Sequence, residues 1–276
     1  MTYWNAVLLG LVQGVAEFLP ISSSGHLAVL QNFLAIGDME NHMLFDVLLH
    51  LGTLAAVILA FWKDVREVVT EFARMLHIRR TPRGLRPNRR ERRLISFLIL
   101  ATLPLIPAAF LSNVVESLYQ NTFFIGFAFV MTGFLLFAAD RMGHGNKDER
   151  SSTSADAIVV GLAQAVAVVP GLSRSGTTIS FGMLRGFERS FAVKFSFLLS
   201  IPAVLGANLV SIIKVFSTGV EWSYVPMYLV GVACAFVSGY FAIYFLRLIV
   251  QRGKFGGFCY YCWGAGLVTL LLSLIS

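Results

Sequence analysis

Charge is what this 276-residue sequence has least of. Asp, Glu, Lys and Arg together make up 13% of it, against roughly 25% in ordinary globular chains. Hydrophobic residues reach 57%, above the usual roughly 45–50%. So few polar groups cannot cover a folded surface in water, which excludes a soluble globular domain and leaves the bilayer as the solvent. Cysteine is nearly as scarce. Three residues exclude a disulfide scaffold, and Cys259 and Cys262, with only Cys234 beside them, fall short of the four ligands of a structural zinc site. They read as packing. No Lys or Arg precedes Lys63, so the basic start of a signal peptide is missing and none is expected.

The positive charge that is present is local. Of 22 basic residues, one Lys and ten Arg lie between Lys63 and Arg93. Between apolar segments such a run marks a cytoplasmic loop under the positive-inside bias, not a nucleic-acid surface, and no nucleic-acid partner is expected. Residues 140–155 (Arg141, Lys147, Arg150) and 247–254 (Arg247, Arg252, Lys254) follow suit. The connections 37–44, 114–122 and 215–224 carry Asp38, Glu40, Glu116 and Glu221 but no Lys or Arg. The two kinds alternate along the chain, as inside and outside loops do.

A spanning helix needs about 20 apolar residues. Six stretches qualify: 44–62, 94–113, 122–140, 191–214, 225–248 and 256–275, with Pro104, Pro107 and Pro202 inside them as expected kinks. Two further apolar regions, 4–36 and 156–187, run about 15 helical residues, about 22 Å, too short to cross. Each then meets a proline with a Ser/Gly cluster, Pro20-Ile-Ser-Ser-Ser-Gly25 and Pro170-Gly-Leu-Ser-Arg-Ser-Gly176, and a second short helical stretch. Helix–break–helix units of this kind are expected to be re-entrant hairpins. Irregular backbone at membrane depth survives only where protein buries it or it lines a watery cavity, so the breaks mark a site.

The two regions are copies. Aligned without a gap, residues 10–25 (GLVQGVAEFLPISSSG) and 161–176 (GLAQAVAVVPGLSRSG) are identical at eight of sixteen positions, and Phe45-to-Leu49 resembles Phe195-to-Leu199 at nearly the same offset. Each half then holds one hairpin and three spans, and an odd number of spans forces the halves into opposite orientations. The expected fold is an all-α integral membrane protein, an inverted-topology repeat with two re-entrant helical hairpins and six transmembrane helices. It is one membrane domain over 1–276, with repeats at about 1–142 and about 153–276 and a basic cytoplasmic loop at 63–93. The first hairpin would enter from outside, the second from the cytoplasmic side.

The copies carry different chemistry. Gly10, Gln13, Gly14 and Glu17 share one helical stripe that leads to Ser22, Ser23, Ser24, Gly25 and His26. A carboxylate in hydrocarbon is costly and marks function by default. The second hairpin has Val168 for Glu17, Arg174 for Ser23 and Thr177 for His26. Arg174 among Ser173, Ser175, Gly176, Thr177 and Thr178, at the start of a helix, suits phosphate oxygens. A plain Glu17–Arg174 ion pair would account for the charges but leave the hydroxyls unexplained. Asp46 and His50, one turn apart, fit the mouth of the site and a solvated helix end equally well.

With these residues assembled, the chain resembles the BacA/UppP family of undecaprenyl-diphosphatases over essentially its whole length. The resemblance rests on Gln13-Gly-Val-Ala-Glu17, Phe18-Leu-Pro-Ile-Ser-Ser-Ser-Gly-His26 and Pro170-Gly-Leu-Ser-Arg-Ser-Gly-Thr-Thr178. It implies hydrolysis of undecaprenyl diphosphate to undecaprenyl phosphate and phosphate at the outer, periplasmic face of the bacterial plasma membrane. It also implies recycling of the lipid carrier for cell-wall synthesis, bacitracin resistance, and a divalent cation, Mg²⁺ or Ca²⁺. Gln13 often has a Glu counterpart in the family, so Glu17 would carry more of any metal or base role. The substrate and the membrane lipids are the expected partners, and a homodimer stays open.

The mechanism expected on this basis keeps the prenyl tail in lipid. Arg174, Ser173 and Thr178 hold the terminal phosphate, and Ser22, Ser24, Gly25, Ser175, Gly176 and Thr177 complete the cradle. Ser23, with His26 as the alternative that spacing leaves open, attacks phosphorus, and Glu17 orients a cation or accepts a proton. The rival class is a transporter that binds prenyl phosphate through the same Arg–hydroxyl cluster and moves it without cleavage.

Overall fold

The computed structural model describes residues 1–34, 43–76, 88–218 and 222–274, and within them every regular element is helical. α1 (Tyr3–Phe18) and α2 (Ser23–Leu34) flank the first break; α9 (Ser154–Val166) and α10 (Arg174–Leu184) flank the second. Between them run α3 (Met43–Ala60), α4 (Trp62–Met75), α5 (Arg89–Thr102), the short α6 (Leu105–Ala109) and α7 (Ser112–Tyr119), and α8 (Thr122–Met142). α11 (Arg189–Thr218), α12 (Val225–Gln251) and α13 (Phe258–Leu272) close the chain.

Five helical stretches are long and apolar enough to cross a bilayer: 89–109, 122–142, 189–213, 222–251 and 255–272. A sixth follows if α3 and α4 count as one broken span, bent by 91°. Their outward faces are apolar, with Ile99, Phe123, Leu209, Ile213, Phe241 and Leu267 all exposed. Large apolar side chains on that scale suit contact with lipid tails, and the chain reads as a multi-pass membrane protein.

Two expected boundaries shift. The helix expected over 94–113 is interrupted at Leu103–Pro104, because proline lacks the N–H and clashes with the preceding turn; α6 resumes beyond it, and the stretch ends at Ala109. Pro202, in contrast, lies inside a continuous α11. Residues 62–75, inside the stretch expected as a basic loop, form α4, whose Val65 and Val68 pack against the core and whose Val69 and Phe72, themselves exposed, line a hollow with α5 and α11; Lys63, Arg66 and Glu67 are exposed too. The middle of that stretch, 77–87, and most of the acidic connection 37–44 lie outside the described residues.

Small residues set the closest approach. A Cβ on Gly10 or Gly14 of α1 would collide with α12 at Gly231 and at Ser238 and Ala235, so the stripe expected to allow close approach lies against that helix. In the second copy Gly161 of α9 meets Ala101 of α5, where an added Cβ would lie 2.6 Å from its backbone. The main apolar core lies among α3, α5 and α9–α13, with Phe61, Phe187, Phe191, Phe195 and Phe197 at its centre. The three cysteines are free, and Cys259 and Cys262 are buried in that core, as packing requires.

Candidate active site

The two breaks touch. Ser175 Oγ of the second donates to the Leu19 carbonyl of the first at 3.3 Å, and Cys262 of α13 donates to the Pro20 carbonyl at 3.4 Å. A Cβ on Gly25 would come within 3.0 Å of the Gly171 Cα, so only glycines allow this crossing. Gly171 also takes φ +90°, which any side chain would strain.

The two α-helix starts are built alike. Ser22 Oγ accepts from the Gly25 N–H at 3.3 Å and Ser173 Oγ accepts from the Gly176 N–H at 3.1 Å, each satisfying an orphan donor of a first turn. The N–H groups expected to cradle phosphate are therefore capped by their own serines in this state.

Glu17 is the centre of the contact. Its Oε2 accepts from Ser23 Oγ at 2.6 Å and from Gln13 Nε2 at 3.1 Å, and its Oε1 accepts from Arg174 Nη2 of the other hairpin. The Glu17 side chain is 6% exposed and that of Arg174 23%. Acid and cation are in direct contact, and the ion pair itself fills the space between them. His50 of α3 joins: its Nδ1 accepts from Gln13 Nε2 at 3.1 Å and lies 3.8 Å from Glu17 Oε2. Asp46 instead accepts from Gln31 at 3.4 Å.

The remaining expected site residues divide. Ser22 and Ser24 pair at 3.3 Å and Ser173 and Ser175 at 3.2 Å, all beside the breaks. Thr177 Oγ1 is buried without a hydrogen-bond partner. Thr178 turns to Ser196 of α11 at 2.6 Å and to the Arg174 and Ser175 carbonyls. His26 spends both ring nitrogens elsewhere, Nδ1 on the Ser22 carbonyl and Nε2 on the Tyr261 hydroxyl, each at 2.7 Å. Two hollows, of about 320 and 380 Å³, lie towards α4, and none of Glu17, Ser23 or Arg174 lines them.

Sequence reasoning ranked His50 low and missed Ser196 and Tyr261. The repeat held a signal for one of them: Ser196 occupies the position matching Asp46. Tyr261, inside an apolar span, carries no local signal.

At the far end of the second hairpin, Asp156 is buried and paired with Lys147 at 3.0 Å and Arg185 at 2.8 Å, and it caps Thr153. Burial pushes this carboxyl up, but Lys147, Thr153 and Arg185 outweigh it and hold it down to about 2. Glu149 likewise stays below its ordinary range: burial opposes it, and Arg90 and Lys194 prevail.

Two hydroxyl-rich breaks meet here, with an acid on one and an arginine on the other. The family model described as bacitracin resistance protein BacA matches residues 6–268. The chain belongs to the BacA family. It is 41% identical to the undecaprenyl-diphosphatase of Alkaliphilus metalliredigens over 100% of both chains. That of Syntrophotalea carbinolica is 40% identical over 99% of this chain and 100% of its own, and that of Halothermothrix orenii 37% over 99% of each. The relatives' shared name is that of an enzyme, as the two motifs of this family member implied.

Proposed function

We propose that this chain hydrolyses undecaprenyl diphosphate to undecaprenyl phosphate and inorganic phosphate, with Ser23 as the attacking group. The observation that carries the reading is the Ser23–Glu17–Arg174 chain. A hydroxyl sits 2.6 Å from a carboxylate oxygen whose partner oxygen holds a guanidinium, in a chain whose full-length relatives bear that activity in their name. As Ser23 Oγ bonds to the terminal phosphorus, its proton passes to Glu17 and undecaprenyl phosphate leaves. Protonation neutralises Glu17 and frees Arg174 for the phosphoryl oxygens, where a planar two-pronged donor is most useful. Water then attacks the phosphoserine. Glu17 returns its proton to Oγ, one water hydrogen stays on the departing phosphate as its new hydroxyl, and the other is released to solvent.

The cation is a proposal of the same kind. No group of three His, Cys, Asp or Glu suited to a metal exists among the described residues, but the Gln13 Oε1 atom beside Glu17 is buried without a partner. Glu17 and Gln13 would supply two oxygens to Mg²⁺ or Ca²⁺ and the diphosphate most of the rest, a pattern usual for these hard cations. When bound, the ion would neutralise charge on the diphosphate.

The finer architecture supports the same use. α1 packs on α12 and α9 packs on α5, an exchange of partners between the halves that supports an inverted repeat with two re-entrant hairpins. The alternating charge of the connections favours a site opening to the outer face of the bacterial plasma membrane. There the reaction would recycle the lipid carrier for cell-wall synthesis and give bacitracin resistance. The test is phosphate release from purified protein in detergent given a prenyl diphosphate, with Ser23→Ala and Arg174→Ala alongside. Prenyl phosphate moved across vesicles without phosphate release would put the chain with the transporters instead.

A further inference from the structure

We propose that His26 and Tyr261 are positioning residues. They brace the left-handed turn at Ser22 from which Ser23 is aimed at Glu17. The inference rests on the reading of Ser23 as the attacking group.

Ser22 has φ +69°, the single positive φ outside glycine among the described residues. An L-residue keeps that conformation only where its surroundings over-determine it. Here they do. Ser22 is 2% exposed, and its carbonyl accepts from the His26 backbone N–H at 3.3 Å and from His26 Nδ1 at 2.7 Å. A carbonyl can only accept, so Nδ1 carries the ring hydrogen, and in the neutral imidazole Nε2 is the acceptor. The Tyr261 hydroxyl donates to it at 2.7 Å. Tyr261 also stacks on the imidazole, with centroids 5.7 Å apart and planes 18° from parallel, while Phe129 meets the ring edge-on at 5.0 Å. The ring is therefore fixed from three sides, and through it so is the Ser22 peptide.

The second break supplies the contrast. Ser173, the counterpart of Ser22, has an ordinary φ of −75°, and the left-handed residue there is Gly171 at +90°. Glycine needs no brace. At the position matching His26 stands Thr177, whose hydroxyl has no partner. The brace thus exists only at the break whose left-handed residue carries a side chain and is followed at once by the attacking serine. It also explains why His26 sits three residues from Ser23 yet directs both nitrogens away from Glu17.

The experiment is a kinetic cycle on the full-length protein in detergent, following phosphate release from a prenyl diphosphate. Tyr261→Phe keeps the stacked ring and loses the donor. It should lower kcat about fivefold, the worth of one hydrogen bond, with KM within about twofold. His26→Ala, which removes the ring, should lower kcat about 30-fold or more at similar KM. Ser22→Gly adopts the turn unaided, so in that background Tyr261→Phe should cost less than about twofold relative to Ser22→Gly alone. Equal fold-losses in the two backgrounds would overturn the brace. So would a rise in KM with kcat unchanged, or full activity in Tyr261→Phe beside an inactive His26→Ala, which would mean that the imidazole acts on substrate itself. The Tyr261→Phe cycle decides the matter even if His26→Ala does not fold. A wild-type protein that releases no phosphate would overturn the functional reading and the brace with it; an active wild type with multiplicative losses overturns the brace alone.

Discussion

The two hairpins start from the same backbone plan and end in opposite chemistry. Both open on a threonine cap, Thr2 accepting from the Asn5 N–H and Thr153 from the Asp156 N–H, and both restart after the break on a serine that caps a glycine N–H. Identity is retained where side chains satisfy backbone or let helices close, at Gly10/Gly161, Ser22/Ser173 and Gly25/Gly176, and at Gln13/Gln164, whose amides have diverged in partner, Glu17 and His50 for Gln13 and the Ala101 carbonyl for Gln164. It is lost at Glu17/Val168 and Ser23/Arg174, the positions that supply the Glu17–Arg174 pair across the contact and the Ser23 hydroxyl beside it. Two similar breaks meet face to face, one bearing the acid with a hydroxyl beside it and the other the cation. Two acids or two arginines in the same contact would repel in a medium that screens poorly.

Substitutions can break this division of labour at graded depth. Ser23→Ala removes the oxygen proposed to attack while leaving the ion pair, and kcat/KM should fall by about 10³-fold or more in the phosphate-release assay; a modest loss would move the attack elsewhere. Exchanging the charges, Glu17→Arg with Arg174→Glu, restores a pair but takes the acceptor from Ser23. The double variant should fold, by size-exclusion chromatography, and remain inactive. Arg174→Lys keeps the charge and loses the planar fork, so a fall of about 10²-fold is expected, and near-normal turnover would count against guanidinium-specific binding.

The remaining two predictions concern stability. Asp156 is charged well below the ordinary carboxylate range, so the stability it contributes is present above about pH 4 and lost as pH falls through about 2. That loss is about 2 kcal/mol, from the size of the shift, and Asp156→Asn should flatten the acid limb of a thermal-unfolding series between those values. Asn5, at the matching position of the first hairpin, carries no such charge, and Asn5→Ala should leave that limb unchanged. Smallest, Ser22→Gly should change the unfolding midpoint little, because relief of strain offsets a looser unfolded chain, whereas Gly171→Ala should cost about 1–3 kcal/mol, since its Cβ would lie 2.7 Å from that of Ala128.

Much of the fold could be read before the structure. Runs of about 20 apolar residues, prolines at 20 and 170 and the repeated Ser-x-Ser-Gly tell their story through local chemistry, and the helix boundaries follow them within a turn at α8 and α12. Glu17, Ser23 and Arg174 were likewise legible, because polar residues in an apolar stripe are exceptions that need a reason. His50 was underrated because its spacing to Asp46 suits a solvated helix end equally well. Tyr261 was invisible because a tyrosine in a span is ordinary, and only the partner 235 residues away gives it a role.

The sequence by itself determined the solvent, the positions of the breaks, the duplication and the types of group at each break. All of these depend on composition or on spacing along a few helical turns. Only the tertiary structure decided that Arg174 lies on Glu17 rather than beside open space, that Ser22 takes a left-handed turn, that α4 bends away from α3, and which ring holds His26. Those outcomes depend on how closely helices far apart in the chain approach and which side chains meet there. Packing across the whole bundle sets that, and no local pattern encodes it.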